Sequence, residues 1–178
     1  MKSNMLQIDK SLIFDANIII DFFTISKDFF KFINELSIEM FIADVTLLKV
    51  DQLNDTNAKE LNISIIETPI DMLDESANRC KSGLAFDDYI TFLLAKDNDL
   101  ILVTNDKSLK IHAQSKSVDT LWGLEIILFL ESNNKISKEK AKELFKKLRI
   151  VNNRITDDIE KEFLKLLYQR SSTIQKSG

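Results

Sequence analysis

Short runs of consecutive apolar residues alternate along this chain with longer segments whose apolar positions recur every three to four residues. The short runs predict strands, most of them buried on both faces, as in parallel sheets. The strands are expected at residues 11–14, 40–43, 62–67 and 100–103, with a weaker one near Val118. Because helical segments separate them, the pattern predicts a βαβα order with parallel pairing.

The helical spacing predicts two groups of helices. Those between the strands are expected at residues 17–23, 27–36, 45–53 and 88–96, after Pro69, and from residue 107. Three more are expected after the last strand, at residues 122–133, 137–149 and 156–169. The last of these has a good start, because Thr156 is followed by two acids.

Composition predicts a single globular domain over residues 1–178, with 44% apolar and 29% charged residues and only three glycines and one proline. Cys80 is the only cysteine, so an intramolecular disulfide is excluded. No apolar stretch reaches the roughly 18 residues of a membrane span, and no charged-then-apolar leader opens the chain. We therefore expect a cytoplasmic protein without membrane contact.

Charge is unevenly distributed along the chain. Residues 131–178 carry +5, whereas residues 1–130 carry −9, for a total of −4. The basic segment 138–149 either lies beside a polyanion such as nucleic acid or forms an ordinary solvated helix face.

Three apolar runs lead into aspartates: Asp15, the pair Asp87 and Asp88, and Asp106. An acid at the end of a buried strand lies at the ligand-binding edge of an open α/β sheet. A single acid there is commonly a helix N-cap, but a cap can equally be Ser, Thr or Asn. Three carboxylates together can hold Mg²⁺ or Mn²⁺, so the pattern suggests phosphodiester chemistry.

The same segments resemble the PIN-domain nucleases. Residues 12–20 are similar to that family's apolar-Asp-x-Asn-apolar opening, residues 86–95 to its central acidic motif, and residues 102–109 to its strand-Thr-x-Asp ending. The tail, residues 123–157, is similar to the C-terminal helices of a PIN subgroup of VapC-type toxins.

The resemblance implies a Rossmann-like three-layer α/β/α sandwich with a central parallel sheet of about five strands. A PIN-like core would span about residues 10–125, with a C-terminal helical extension over about 126–170. The implied activity is Mg²⁺- or Mn²⁺-dependent cleavage of RNA by a toxin of a toxin-antitoxin pair. A homodimer and a possible antitoxin are the implied protein partners.

Carried over to this chain, the resemblance makes Asp15, Asp88 and Asp106 the metal-binding and catalytic acids. Asp88 is preferred to Asp87 because of its distance from Ala95, and Asp87 then becomes the helix cap. Two further residues match accessory positions that orient the acids, or are ordinary turn residues: Asn17 and Thr104.

One family acid is missing. Lys49 stands where the resemblance places a second acid, a glutamate on the helix after the second strand. A lysine there would occupy metal space or pair with the remaining acids, and either outcome lowers metal affinity. Asp51 lies roughly 200° further around a helix, so it substitutes only if that helix starts later or is distorted. The alternative is therefore a catalytically impaired PIN-fold protein that acts as a binding or interaction module.

Other interpretations fit less well. Residues 14–17 resemble the aspartyl nucleophile motif of haloacid dehalogenase phosphatases, but Asn17 replaces its second acid. Three glycines leave no Gly-rich turn for a dinucleotide. His112 is the only histidine, so a histidine-based site lacks partners. Trp122 is a packing residue or a base-stacking platform, and the phenylalanines at residues 22–30 are core or an exposed patch.

Overall fold

The strands of this protein form one five-stranded sheet. The computed structural model describes residues 8–79 and 83–169, so Cys80 lies outside the described residues. The strands are β1 (Leu12–Phe14), β2 (Met40–Ala43), β3 (Ile63–Ile66), β4 (Ile101–Val103) and β5 (Thr120–Leu121). Their order is β3-β2-β1-β4-β5, and every neighbouring pair is parallel. The predicted strands and their parallel pairing are confirmed, with the last strand just beyond Val118.

Helices connect and follow these strands. Those within the βα part of the chain are α1 (Ala16–Ile25), α2 (Phe29–Asn34), α3 (Asp44–Leu47), α4 (Asp55–Glu60), α5 (Ile70–Arg79), α6 (Phe86–Asp97) and α7 (Lys107–Ser115). Those after β5 are α8 (Gly123–Ser132), α9 (Lys138–Val151) and α10 (Asp157–Gln169). The three C-terminal helices are confirmed within two residues at each end.

The helix predicted over residues 45–53 is wrong in extent. Helix α3 ends at Leu47, and α4, which the sequence did not predict, begins after an Asn54 cap. The reason is a tight turn: the amides of Lys49 and Val50 donate to carbonyls only three residues back, at 3.0 and 3.1 Å. This turn directs Val50 into the core, where it is buried.

Side chains of successive strand residues point to opposite faces of the sheet, and each face has its own apolar cluster. Leu12 and Phe14 of β1 join the cluster formed with α1, α2, α8, α9 and α10. Ile13 joins the other cluster, formed with α5, α6 and α7. Helices thus cover both faces, and the predicted Rossmann-like three-layer α/β/α class is confirmed.

The C-terminal helices share the first of these clusters rather than forming a separate layer. Phe145 of α9 stacks on Phe163 of α10 with ring centroids 4.4 Å apart. Arg149 of α9 also forms ion pairs with two acids of α10, Asp157 and Glu160. No helix among the described residues is long and apolar enough to cross a membrane.

The phenylalanines of α1 and α2 are core residues. Phe22, Phe23, Phe29 and Phe30 are all buried, so the exposed-patch alternative is wrong. In the basic segment, Lys140 and Lys147 pair with Glu143 at 3.1 and 2.7 Å. Part of that segment's charge is therefore balanced within its own helix.

Candidate acid site at the carboxyl edge of the sheet

The strand order creates a crevice between β1 and β4. From β1 the chain builds the sheet outward through β2 and β3, and then returns to pair β4 with the other side of β1. Ligands of open α/β sheets bind at such a switch point, outside the carboxyl ends of the strands. Asp15 directly follows β1, and Thr104 to Asp106 directly follow β4. Two of the three predicted acids therefore lie on the two sides of this crevice.

Asp15 is a fully buried carboxylate with two hydrogen-bond donors. It is the N-cap of α1, and its Oδ1 accepts from the amide of Ile18 at 2.8 Å. Its Oδ2 accepts from the hydroxyl of Thr104. Burial raises the pKa of Asp15 from 3.8 to about 7, against these two hydrogen bonds, and the charge of Asp88 raises it further. Asp15 is thus both a cap and an electrostatically strained acid.

Thr104 joins the two sides of the crevice. Besides donating to Asp15, its hydroxyl oxygen accepts from the backbone amide of Asp106 at 2.9 Å. Its side chain is completely buried. Asn17, the other predicted accessory residue, is exposed on the first turn of α1. Of these two residues, Thr104 is the one that holds the acids in place.

Asp87 does not cap α6, contrary to prediction. The helix begins at Phe86, so Ala85 is the N-cap and Asp87 lies already within the first turn. There it is buried and forms an ion pair with Lys49. The prediction failed because α6 begins at Phe86, two residues before residue 88, and no described residue between α5 and α6 belongs to a strand.

Asp88 is partly exposed beside this ion pair. Burial raises its pKa to about 6, and the charges of Asp87 and Asp106 raise it further, whereas Lys49 lowers it. The charge of Asp88 raises the pKa of Asp15, and the charge of Asp106 raises the pKa of Asp88. The three predicted acids are therefore close enough to interact electrostatically. We call Asp15, Asp88 and Asp106 the acid cluster.

Lys49 lies next to this cluster. Its ammonium reaches Asp87 from the turn after α3, while about half of its side chain, 54%, is exposed. Pairing with one of the remaining metal-binding acids was expected for this lysine, but its partner is Asp87, the residue predicted to be the helix cap. Asp51, the predicted substitute acid, is exposed in the following turn. The shortened helix therefore brings Lys49, a cation, to the acids.

Within the acid cluster, the negative charge of Asp106 is the best stabilised. As N-cap of α7 it accepts from the amides of Ser108 and Leu109 at 2.7 and 2.9 Å. Arg154 donates to its other oxygen at 3.0 Å. Burial acts to raise the pKa of Asp106, but these hydrogen bonds and the charge of Arg154 outweigh it and hold the pKa below 3.8.

A fourth acid, Asp21 of α1, was missed by the sequence reasoning. Its carboxylate accepts from Asn105, after β4, and from Asn152, after α9, at 3.3 and 2.9 Å. Burial raises its pKa, and its charge in turn raises that of Asp15. One signal could have found it: Asp21 is the only charged residue of a mostly apolar helix. No local signal marks Arg154, which reaches Asp106 across 48 positions.

Whether these residues suit a divalent ion can be judged from their chemistry. In the described ranges, no three Asp, Glu, His or Cys side chains stand where they could jointly hold a metal ion. The donor type does fit, because hard cations prefer carboxylate oxygens. The charges fit as well, since mutual repulsion of Asp15, Asp88 and Asp106 is what a divalent cation would relieve. Metal binding would require Arg154 to release Asp106.

Comparison with known proteins adds little to this site. No family model and no curated protein matches the sequence. The chain is similar to the crystal structure of PAE2754 from Pyrobaculum aerophilum, at 17% identity and a TM-score of 0.48. The similarity covers 69% of this chain and 90% of that one. The fold class therefore stands on the strand order and register, and the PIN resemblance stays a prediction.

Proposed function

We propose that this protein is a PIN-like ribonuclease that cleaves RNA phosphodiester bonds with Mg²⁺ or Mn²⁺. One observation supports the proposal: Asp15 and Asp106 follow the two strands that flank the switch point of a parallel sheet, and both interact electrostatically with Asp88. Acids held in mutual repulsion at a ligand-binding edge are typical of functional sites. The cluster members Asp15, Asp88 and Asp106 would hold the ion.

The protein's own residues prepare this site. Ile18 and Thr104 fix the two oxygens of Asp15, so its orientation is set before any ligand arrives. Asp88 and Asp106 are partly exposed and give access from solvent. Arg154 is 64% exposed and can move from Asp106 to a phosphate of the substrate. A bound divalent ion would activate water and neutralise charge on the scissile phosphate.

The biological setting follows from the PIN resemblance alone. We propose a toxin of the VapC type, held in check by an antitoxin, homodimeric and cytoplasmic. The single cysteine is in keeping with a reducing compartment.

A cleavage assay tests the activity. Structured and single-stranded RNA are incubated with the wild-type protein, Asp15→Asn and Asp88→Asn, each with Mg²⁺, Mn²⁺ or EDTA. Asp97→Asn is the matched control, because Asp97 is an exposed acid of the same helix as Asp88. We expect metal-dependent cleavage by the wild type and the control, and a loss of about 100-fold or more in the other two. Metal-independent cleavage, or equal cleavage by all four proteins, would contradict the proposal.

A second candidate, a PIN-fold binding module without catalysis, is favoured by the Lys49–Asp87 ion pair and by Arg154 on Asp106. Arg154 would compete with a metal ion for Asp106, and the charge of Lys49 would oppose a cation beside Asp88. Mn²⁺ titration of the wild type and Lys49→Glu separates the two functions. If the wild type binds no Mn²⁺ and Lys49→Glu does, the protein is the impaired module.

A further inference from the structure

A cavity of about 570 Å³ opens next to Asp106, where α7, α8 and the start of α10 meet. Its volume falls within the roughly 300–1,000 Å³ of small-ligand sites. Its wall includes four apolar side chains: Trp122, Leu124, Ile155 and Ile159. Asn105, Asp106 and Arg154 lie together at a polar end, and Glu162 adds a second carboxylate to the lining. The cavity thus has an apolar body and a polar end that is shared with the acid cluster.

Trp122 is the flat side chain of this wall, and Lys110 and Glu125 contact it. The ammonium of Lys110 lies 4.6 Å from the centroid of the indole ring. Glu125 accepts the backbone amide of Trp122 at 2.8 Å and lies 3.6 Å from the same ammonium. Because Lys110 itself is nearly buried, these contacts restrain the ring. A ligand that stacks on the ring would pay little to order it.

The polar end suits a phosphate-bearing ligand. Arg154 gives Asp106 one hydrogen bond, at 3.0 Å, and a guanidinium carries five N–H donors in a planar fork. Its side chain is largely exposed, so it can meet an anion at the mouth of the cavity. A molecule filling the cavity would therefore place a flat apolar ring on Trp122 and an anionic group near Arg154.

We propose that this cavity binds one unpaired nucleobase of the RNA, stacked on Trp122, while the adjoining phosphate lies at Arg154 and the acid cluster. That the ligand is RNA rests on the proposed function, whereas the binding of a nucleobase is inferred from the shape and lining of the cavity. A base within a duplex has both faces covered by its neighbours, so the cavity selects single-stranded RNA. A free nucleotide carries the same chemistry, and the experiment separates the two sources.

The chain's only tryptophan makes binding directly observable. Trp122 fluorescence of the full chain is titrated in EDTA with AMP, GMP, CMP and UMP, with a single-stranded RNA hexamer, and with the same hexamer as a duplex. We expect saturable quenching by at least one mononucleotide, and by the single-stranded hexamer at about tenfold lower concentration, because a chain adds backbone contacts. The duplex should leave the fluorescence unchanged.

Three results would overturn the proposal. If neither a nucleotide nor the hexamer quenches the fluorescence saturably, the cavity does not bind a nucleobase. Quenching by mononucleotides alone makes a free nucleotide the ligand. Equal quenching by single strand and duplex means that the backbone, not a base, is bound.

Variants locate the binding in the cavity. Trp122→Leu, followed by calorimetry because it lacks fluorescence, should weaken hexamer binding about tenfold or more. Tyr168→Leu is the matched control: Tyr168 is a half-exposed ring with Lys142 at 4.6 Å, but it does not line the cavity. Equal losses in the two variants would place the binding elsewhere.

A second pair keeps the tryptophan. Ile159→Glu introduces charge into the cavity and should abolish quenching, whereas Ile150→Glu, at an isoleucine that is 83% exposed, should not. Thermal melts confirm that both fold. Failure of this proposal differs from failure of the nuclease: quenching without metal-dependent cleavage leaves the cavity assignment standing, and cleavage without quenching removes only the cavity assignment.

Discussion

Thr104 and Asp15, which lie 89 positions apart in the chain, are joined by a hydrogen bond from the threonine hydroxyl to the buried carboxylate. The bond crosses from the end of β4 to the end of β1, the two strands that flank the switch point. The same hydroxyl oxygen accepts the amide of Asp106. Both sides of the crevice are therefore fixed relative to each other by the fold itself.

We expect Asp15→Asn to make the metal-free protein more stable at pH 8 than the wild type. Folding raises the pKa of Asp15 from 3.8 to about 7, so the native state binds more protons than the unfolded state between these values. Wild-type stability should then fall as the pH rises through this window, and the full cost is present above about pH 7. The asparagine carries no charge, so its pH slope should be shallower.

Thermal melts in EDTA at about pH 5, 6, 7 and 8 measure this difference. The advantage of Asp15→Asn should shrink toward pH 5, where the wild-type carboxyl is already protonated in the folded state. A variant that is destabilised to the same extent at every pH would show that the charge of Asp15 carries no cost.

Metal binding should offset the destabilisation that the ionised Asp15 causes at high pH. We expect Mn²⁺ or Mg²⁺ to raise the wild-type Tm at pH 8, because a ligand of the native state alone stabilises it by about 2.7 kcal/mol at 100 times its Kd. Asp15→Asn and Asp88→Asn should respond weakly, and Asp97→Asn like the wild type. An unchanged wild-type Tm at millimolar metal would count against the metal site.

Loss of Lys49 should destabilise the protein. Lys49→Met leaves the carboxylate of Asp87, which is 4% exposed, without its ammonium partner. We expect the free energy of unfolding at pH 7 to fall by about 1–3 kcal/mol in urea titrations. Adding Asp87→Asn should recover part of the loss. Lys96→Met, at an exposed lysine of α6, is the control, and equal stability of all variants would refute a role for the ion pair.

Removal of Arg154 should strengthen metal binding. Arg154→Gln takes away the guanidinium that donates to Asp106, so the acid cluster loses a neighbouring positive charge and an oxygen of Asp106 is freed. We expect Mn²⁺ to bind about fivefold more tightly by calorimetry, since one nearby charge contributes about 1 kcal/mol in water. Arg149→Gln is the control, because Arg149 pairs with Asp157 and Glu160 instead. Equal affinities in the two variants would contradict competition by Arg154.

Gly123→Ala should destabilise the packing of α8 on α1. A Cβ at this position would lie 2.8 Å from Phe22 and 3.1 Å from Ile18. Phe22 is fully buried and stacks on Phe29 with centroids 3.7 Å apart, so its ring has little room to move. We expect a loss of about 1–3 kcal/mol in the free energy of unfolding.

A double-mutant cycle with Phe22→Leu identifies the cause of this loss. The smaller side chain removes the clashing ring atoms, so the cost of Gly123→Ala should shrink in that background. An equal cost in both backgrounds would mean that contact with Phe22 is not responsible.

Several features of the fold could be predicted because their cause is local. A run such as residues 100–103 is wholly apolar, and that is enough to identify a buried strand. Asp15 and Asp106 follow such strands, so their position at the sheet edge was foreseeable. The end of α3 was not, because it depends on a tight turn that directs Val50 into the core.

The residues that contact the acids could not be predicted, because they come from distant parts of the chain. Asp21 is held by Asn105 and Asn152, which are 84 and 131 positions away. Lys49 was expected near the acids, but it pairs with Asp87 because α6 begins at Phe86 and Asp87 lies within its first turn. The spacing of apolar residues along the sequence carries no information about such contacts.

The sequence by itself determined the parallel sheet and the three points where an acid follows an apolar run, because local apolar patterning decides both. Only the tertiary structure decided which side chain contacts each acid: Thr104 contacts Asp15, Lys49 contacts Asp87 and Arg154 contacts Asp106. These contacts depend on how distant turns pack around the switch point. The contacts with Thr104 and Arg154 lower the pKa of Asp15 and of Asp106, respectively, against the effect of burial.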